Sequence, residues 1–232
     1  KCGMSLAAYN SSANRGACFQ NCRRSYTVRD TETGTEFNID NRYVMSPRDL
    51  CTLEFFDRIL ESGVSVLKIE GRGRSADYVA HVVRVYRAAL DQWLRGEPLR
   101  PGQLAKWEEE LASVFNRGFW KGGYYLGNRL GEWAACGDSQ ATVRKEFVGR
   151  IVNYYKKPEV AELQMTSGEL VPGDRILVTG DTTGAQELKV DEFLLDGAAV
   201  NPAKKGMNVT FLSPVRLRAN DKVYKLIERS RS

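Results

Sequence analysis

Residues 63–91 read GVSVLKIEGRGRSADYVAHVVRVYRAALD, and two periodicities meet in this one run. Val64, Val66, Leu67 and Ile69 make the short apolar stretch of a buried strand, and the turn-prone Glu70-Gly71-Arg72-Gly73-Arg74 follows it. Ser75 then stands as an N-cap. Val79, Val82, Val83, Tyr86 and Leu90 recur at three- and four-residue spacing before Gly96, as on the buried stripe of a helix. A strand that feeds a helix through a tight loop is half of a parallel β–α–β unit, because parallel strands need a crossover between them.

The preceding segment repeats the pattern. Tyr43-Val44-Met45 reads as a short strand, Ser46 as an N-cap, Pro47 as the first helical residue and Asp49 as a first-turn acid. Leu50, Leu53, Phe56, Ile59 and Leu60 supply the helix face and Gly63 ends it. Strand, helix, strand, helix predicts a parallel sheet with crossover helices. Two such units cannot cover both faces of a parallel sheet. This half is therefore expected to be the end of a larger α/β domain, completed by a missing N-terminal half or by a second copy of the chain. Residues 27–42, polar and split by Gly34, predict a hairpin excursion.

Residues 102–115 predict a helix with Leu104, Trp107, Leu111 and Phe115 on one side. Residues 116–127, NRGFWKGGYYLG, interleave glycine, aromatic and basic residues, a loop that either stacks single-stranded bases or packs its rings inward. From Lys145 the pattern changes to short β-prone runs at 147–155, 160–165, 175–179, 187–195, 207–212 and 222–227, with turns between them. Six short strands predict a small closed antiparallel barrel, which leaves no exposed edge. The expected fold class is α/β plus all-β. Residues 1–96 form the C-terminal portion of an α/β domain, 97–143 a connector and 144–232 the barrel.

The composition, 42% apolar and 27% charged, is that of an ordinary globular chain, and no apolar run nears the roughly 20 residues of a membrane span. Five cysteines cannot all pair, which favours a reducing cytoplasm. The net charge of +5 is unevenly spread: Lys1, Arg15, Arg23, Arg24 and Arg29 face only Asp30 among the first thirty residues. That bias suits an anionic partner, a nucleic acid or a small carboxylate.

Cys2, Cys18 and Cys22 fall inside this basic segment. Cationic neighbours keep thiols deprotonated, and clustered thiolates suit a soft metal or an iron–sulfur cluster. Three are one short of the usual four cluster ligands, and zinc competes for the same donors. Cys51 and Cys136 read as structural. Lys68, Glu70, Arg72 and Arg74, leading into Ser75 at a helix start, form a second candidate, an anion site at a strand's carboxyl end. Lys68 and Glu70 are two apart and share a strand face, as acid–base groups or as a structural ion pair. His81, the sole histidine, lacks an HExxH setting and reads as a partly exposed helix residue.

Taken together, SANRGACFQNCRRSY (12–26), YVMSPRDL (43–50), the run at 63–91, FNRGFWKGGYYLG (115–127) and EFVGRIVNYY (146–155) resemble peptidase family U32, the collagenase-like proteases. The resemblance covers nearly the whole chain. Within the family it is strongest to a branch that hydroxylates the wobble uridine of tRNA in a prephenate-dependent reaction; a sister branch hydroxylates a cytidine of ribosomal RNA. The resemblance implies a TIM-like α/β barrel, of which this chain would hold the C-terminal part, followed by a small six-stranded β-barrel. It implies a 4Fe-4S cluster on four cysteines, three matching Cys2, Cys18 and Cys22 and the fourth upstream of Lys1. It further implies tRNA and a small dicarboxylate, prephenate, as partners. Arg15, Arg23, Arg72, Arg74 and Ser75 are the expected anion-binding groups, and Lys68 and Glu70 the expected catalytic ones. Two other functions stay open, a peptidase acting on proteins and a fragment that binds RNA or a partner without activity of its own.

Overall fold

Strict alternation of apolar and polar residues builds most of the C-terminal half. The computed structural model describes residues 3–11, 17–39, 48–71, 73–121 and 139–229. The chain divides into two compact units, one of Lys1–Arg74 with His81–Ala141 and one of Ser75–Ala80 with Thr142–Ser232.

In the second unit lie β5 (Val143–Tyr155), β6 (Val160–Met165), β7 (Glu169–Leu170), β8 (Arg175–Gly180) and β9 (Gly184–Lys189). They are followed by β10 (Leu194–Leu195), β11 (Ala198–Ala199), β12 (Ala203–Lys204), β13 (Asn208–Leu212) and β14 (Lys222–Glu228). Eight of these form one antiparallel sheet in the order β11-β10-β13-β6-β5-β14-β8-β9, and β7 pairs separately with β12. Alternate residues of β6 (Ala161, Leu163, Met165) and β13 (Val209, Phe211) point into one core with Val148, Ile151, Ile176 and Phe193. Two glycines are dictated by close approach. A Cβ on Gly149 would lie 2.0 Å from the carbonyl oxygen of Gln164 across the β5–β6 ladder, and one on Gly180 would lie 1.8 Å from Oδ1 of buried Asp221. Asp221 ties down its corner by accepting from the Thr183 hydroxyl (2.6 Å) and the Arg218 N–H (2.8 Å).

This unit bears out the expected antiparallel all-β half and corrects its strand count. Residues 187–195 break into β9 and β10, the short β11 pairs with β10, and β7 and β12 form a pair of their own. The sequence shows where apolar alternation recurs but not which two-residue pairings extend it.

Among its described residues the first unit holds the helices: α1 (Gly3–Tyr9), α2 (Phe56–Glu61), α3 (Ala76–Leu94, whose first turn groups with the second unit) and α4 (Pro101–Ser113). The expected hairpin is present as β1 (Tyr26–Arg29) paired antiparallel with β2 (Glu36–Ile39). α4 starts with Pro101 at its N-terminus, buries Trp107 and Leu111, and ends at Ser113, short of Phe115.

Three expectations for this unit are corrected. The helix that Ser46 and Pro47 were to start is instead a parallel pair, β3 (Asp49–Leu50) with β4 (Phe119–Trp120), and α2 begins only at Phe56 after a 3-10 turn at Leu53–Phe55. The cause is the Asp49 side chain, which accepts from the Arg117 N–H at 3.1 Å and from Arg74 at 3.1 Å and so holds the segment extended. Residues 43–47, including the Tyr43–Met45 strand, lie outside the described residues. Second, residues 64–69 form no strand; Val64, Val66, Leu67 and Ile69 are all exposed, Val66 by 84%. A strand needs a neighbour for its backbone hydrogen bonds, and apolar side chains alone do not supply one. Among the described residues the only parallel pairing is β3–β4. Third, α3 is rotated from the expected face: Asp77, His81, Val82, Val85 and Ala89 are buried, while Val79 and Val83 are exposed.

Candidate functional site

α1 stops because Asn10 takes a left-handed conformation (φ 47°), with its N–H donating to the Leu6 carbonyl and that of Ser11 to the Ser5 carbonyl. The Ser11 hydroxyl reaches on to the Ala17 carbonyl at 2.8 Å. Gln20, also left-handed (φ 51°), bends the chain into a single 3-10 turn at Asn21–Arg23, and the Tyr26 hydroxyl donates to the Asn21 carbonyl at 2.5 Å. Cys18 is exposed just before this turn and Cys22 is half-buried within it. Cys2 and Arg15 lie outside the described residues, and Arg23 is placed on the turn by its backbone.

Two polar atoms in this region are buried without a hydrogen-bond partner among the described residues, Ser5 Oγ and Asn21 Oδ1. Buried polar atoms are nearly always satisfied, so such a pair marks a place for a group with hydrogen-bonding capacity. Among the described residues no three His, Cys, Asp or Glu side chains group as a metal site, and the third expected thiolate, Cys2, is outside them. Cys18 and Cys22 are four apart in sequence, one just before the 3-10 turn and one within it, and thiolates of this type are the donors that an iron–sulfur cluster takes.

The second candidate loop is shaped differently. Lys68 and Glu70 are exposed, Arg72 lies outside the described residues, and Gly73 (φ 72°) turns the chain into Arg74. Arg74 is largely buried: its guanidinium pairs with Asp49 at 3.1 Å and lies 4.1 Å from the centroid of Phe115. That arrangement holds the loop against the first unit. In the second unit the exposed Ser75 hydroxyl lies 3.3 Å from Lys145 Nζ, whose main partner is the buried Asp77 carboxylate at 2.8 Å. Neither Asp49 nor Phe115 stands out in the sequence as a partner of Arg74, because each is distant in the chain.

His81 corrects its expected exposure. It is 7% exposed, with Nδ1 3.0 Å from Arg84 and 3.5 Å from Glu110, which joins α3 to α4. Cys51 is buried as expected. Burial raises its thiol, and burial also raises the Tyr86 hydroxyl, which accepts from the Thr52 N–H at 2.9 Å. Of the Gly-aromatic loop, Trp120 is buried and Phe119 half-buried, so these two rings pack inward; residues 122–127, like Cys136, lie outside the described residues.

Sequence reading passed over Tyr9 and Phe19 and took Arg24 only as part of the segment's charge; the structure brings the three together beside the cysteine turn. The rings of Tyr9 and Phe19 lie 4.8 Å apart, and the Arg24 guanidinium stands over Tyr9. The available signal was an aromatic residue directly after Cys18 in an otherwise polar segment.

Among known proteins, the chain is 45% identical over 229 residues to a protein of Porphyromonas gingivalis named collagenase, covering 99% of this chain and 55% of that one. It is 33% identical over 156 residues to tRNA hydroxylation protein P1 of Bacillus subtilis, covering 66% of this chain and 36% of the other. A further stretch of 91 residues is 34% identical to the 23S rRNA 5-hydroxycytidine C2501 synthase of Escherichia coli, covering 39% and 14% respectively. The chain thus spans about half the length of the collagenase, and less of the two RNA-modifying proteins. The family description "Peptidase family U32" matches residues 1–135, more than half of the chain, and the chain belongs to that family.

Proposed function

We propose that this chain is part of a protein that hydroxylates the wobble uridine of tRNA. The observation that carries the reading is the cysteine turn: Cys22 within a 3-10 turn and Cys18 just before it, in a basic segment that also holds the unsatisfied Asn21 Oδ1, with Ser5 Oγ likewise unsatisfied on α1. The RNA-hydroxylating relatives support the substrate class. Cys2, Cys18 and Cys22 would hold a 4Fe-4S cluster with a fourth cysteine from outside this chain, and the cluster would supply one-electron chemistry to the oxidation. The buried Ser5 hydroxyl would donate a hydrogen bond to a cluster sulfur. Arg15, Arg23 and Arg72 would hold a dicarboxylate such as prephenate, and Lys68 and Glu70 would serve as acid–base groups. Arg74, engaged by Asp49 and Phe115, is a strut for its loop. The first unit is the C-terminal part of a TIM-like barrel in this reading, and the setting is the reducing cytoplasm. No described helix is long and apolar enough to cross a membrane.

The second reading, a peptidase, draws on the collagenase relative. The candidate site offers it little: the single histidine is on α3, buried against Arg84 and Glu110, and not on the cysteine turn. Anaerobically prepared full-length protein separates the readings. Iron with acid-labile sulfide, wobble hydroxylation in the presence of prephenate, and loss of both with Cys18→Ala are expected. Stoichiometric zinc without sulfide, or cleavage of fluorescent gelatin that survives Cys18→Ala, would overturn the proposal in favour of a zinc site or a peptidase.

A further inference from the structure

We infer that Tyr9, Phe19 and Arg24 form a stacking platform that seats an unpaired base of an RNA loop beside the cysteine turn; the inference deepens, and rests on, the RNA-hydroxylation reading above. Tyr9 ends α1 and Phe19 directly follows Cys18, so helix end and turn bring their rings within 4.8 Å at an interplanar angle of 33°. Both rings are open to solvent, 47% and 48% exposed. Water is a poor neighbour for two large adjacent aromatic faces, which marks them as a contact surface rather than a scattered exposed residue.

The chemistry around the rings names the ligand class. Arg24 stands 5.9 Å from the Tyr9 centroid and donates from Nη1 to the Tyr9 hydroxyl at 3.2 Å. Among the described residues it has no carboxylate partner, which leaves the rest of its guanidinium for an anion. An apolar protein partner would be met by aliphatic side chains and would not need a cation over the ring. A nucleotide presents a π-face and a phosphate together, and single-stranded RNA is bound by such ring-and-guanidinium pairs. The charge of the segment agrees: Lys1, Arg15, Arg23, Arg24 and Arg29 against Asp30. Phe19 adjoins Cys18, and Arg24 lies two residues past Cys22, so a base stacked here is held next to the residues assigned to the cluster.

The test uses full-length protein and an RNA stem–loop that carries 2-aminopurine in its unpaired loop, whose fluorescence is quenched by stacking. Parent protein is expected to bind and quench. Phe19→Leu, which keeps apolar bulk but removes the ring face, is expected to bind about tenfold more weakly with the quench lost, whereas Phe19→Trp keeps both. Arg24→Ala is expected to lower the slope of log affinity against log salt by about one. Circular dichroism of each variant establishes that it is folded. Binding and quenching by Phe19→Leu at the parent's level would overturn the platform, as would a parent that binds without quenching. The two readings fail separately. Parent that hydroxylates tRNA, with Phe19→Leu unchanged in KM and quench, removes the platform and leaves the function. Parent that quenches through Phe19 but never hydroxylates removes the function and leaves an RNA-binding surface.

Discussion

In the β-rich unit Val148, Ala161, Leu163, Ile176, Val178 and Phe193 are all wholly buried, whereas in the cysteine-bearing unit Val66 is 84% exposed and Val64, Leu67 and Ile69 stand open beside it. Both regions have apolar residues in β-prone runs. The difference is in backbone partners: each strand from β5 to β14 finds a neighbour inside its own unit, and residues 64–69 find none among the described residues. Hydrophobic content alone therefore does not make a strand, since the N–H and C=O groups must be paired before the side chains can be buried together.

The largest expected effect tests the closed side of that contrast. Phe193 packs its ring 6.2 Å from Phe211 in a core with no exposed surface of its own. Phe193→Ala should cost about 3–5 kcal/mol, combining lost transfer energy with a residual cavity. Val66→Ala in the open run should stay within about 0.5 kcal/mol. Chemical denaturation followed by far-ultraviolet circular dichroism measures both. Comparable losses in the two variants would show that Val66 is buried in solution and would erase the contrast.

A middle-sized effect sharpens it inside the cysteine-bearing unit, where a polar cluster stands in for part of a core. Asp49→Ala removes the acceptor of hydrogen bonds from both the Arg74 guanidinium and the Arg117 N–H, two groups that are partly buried. About 1–3 kcal/mol should be lost. Asp49→Asn, which keeps an acceptor for the Arg117 N–H, should recover part of it. Tryptophan emission is a suitable readout, because Trp93, Trp107, Trp120 and Trp133 all lie within residues 81–141. Equal stability of all three proteins would mean that β3 and β4 pair without help from this carboxylate.

How much of this was legible depends on the range of the interaction. Local signals read well: Gly34 in the hairpin, a helix expected from residue 102 where α4 starts at Pro101, and Trp107 and Leu111 on its buried side. The alternation in β6 and β13 gave the β-rich half, because each strand shows its period in its own sequence. Long-range polar contacts were invisible. Asp49 looked like a first-turn helix acid because Arg74 and Arg117, 25 and 68 positions away, are not in its local window. The face of α3 was misjudged for the same reason, since Val79 and Val83 fit an apolar stripe as well as Val82 and Val85 do, and Asp77 and His81 are buried through their partners. At the candidate site the cysteines were legible by type and spacing, while Tyr9, Phe19 and Arg24 meet only after two left-handed residues have bent the chain.

The smallest expected effect concerns pH. Burial raises the Cys51 thiol above its ordinary 9.0 and the Tyr86 hydroxyl above its ordinary 10.0, so the folded unit keeps both protons longer than the unfolded chain does. The unfolded state therefore binds fewer protons as pH passes about 9. Stability that is fully present below that pH declines above it, and goes on declining until the folded groups themselves ionise. Tyr86→Phe separates the contributions. At neutral pH it loses the hydrogen bonds to the Thr52 backbone and hydroxyl, at about 1 kcal/mol, while above pH 10 it no longer contributes a buried phenol to the decline. The variant's denaturation midpoint, read by tryptophan emission, should start below the parent's and converge on it as pH rises. A constant gap between the two curves would mean that the Tyr86 hydroxyl titrates alike in both states, and that this side of the molecule is as open around α3 as it is along residues 64–69.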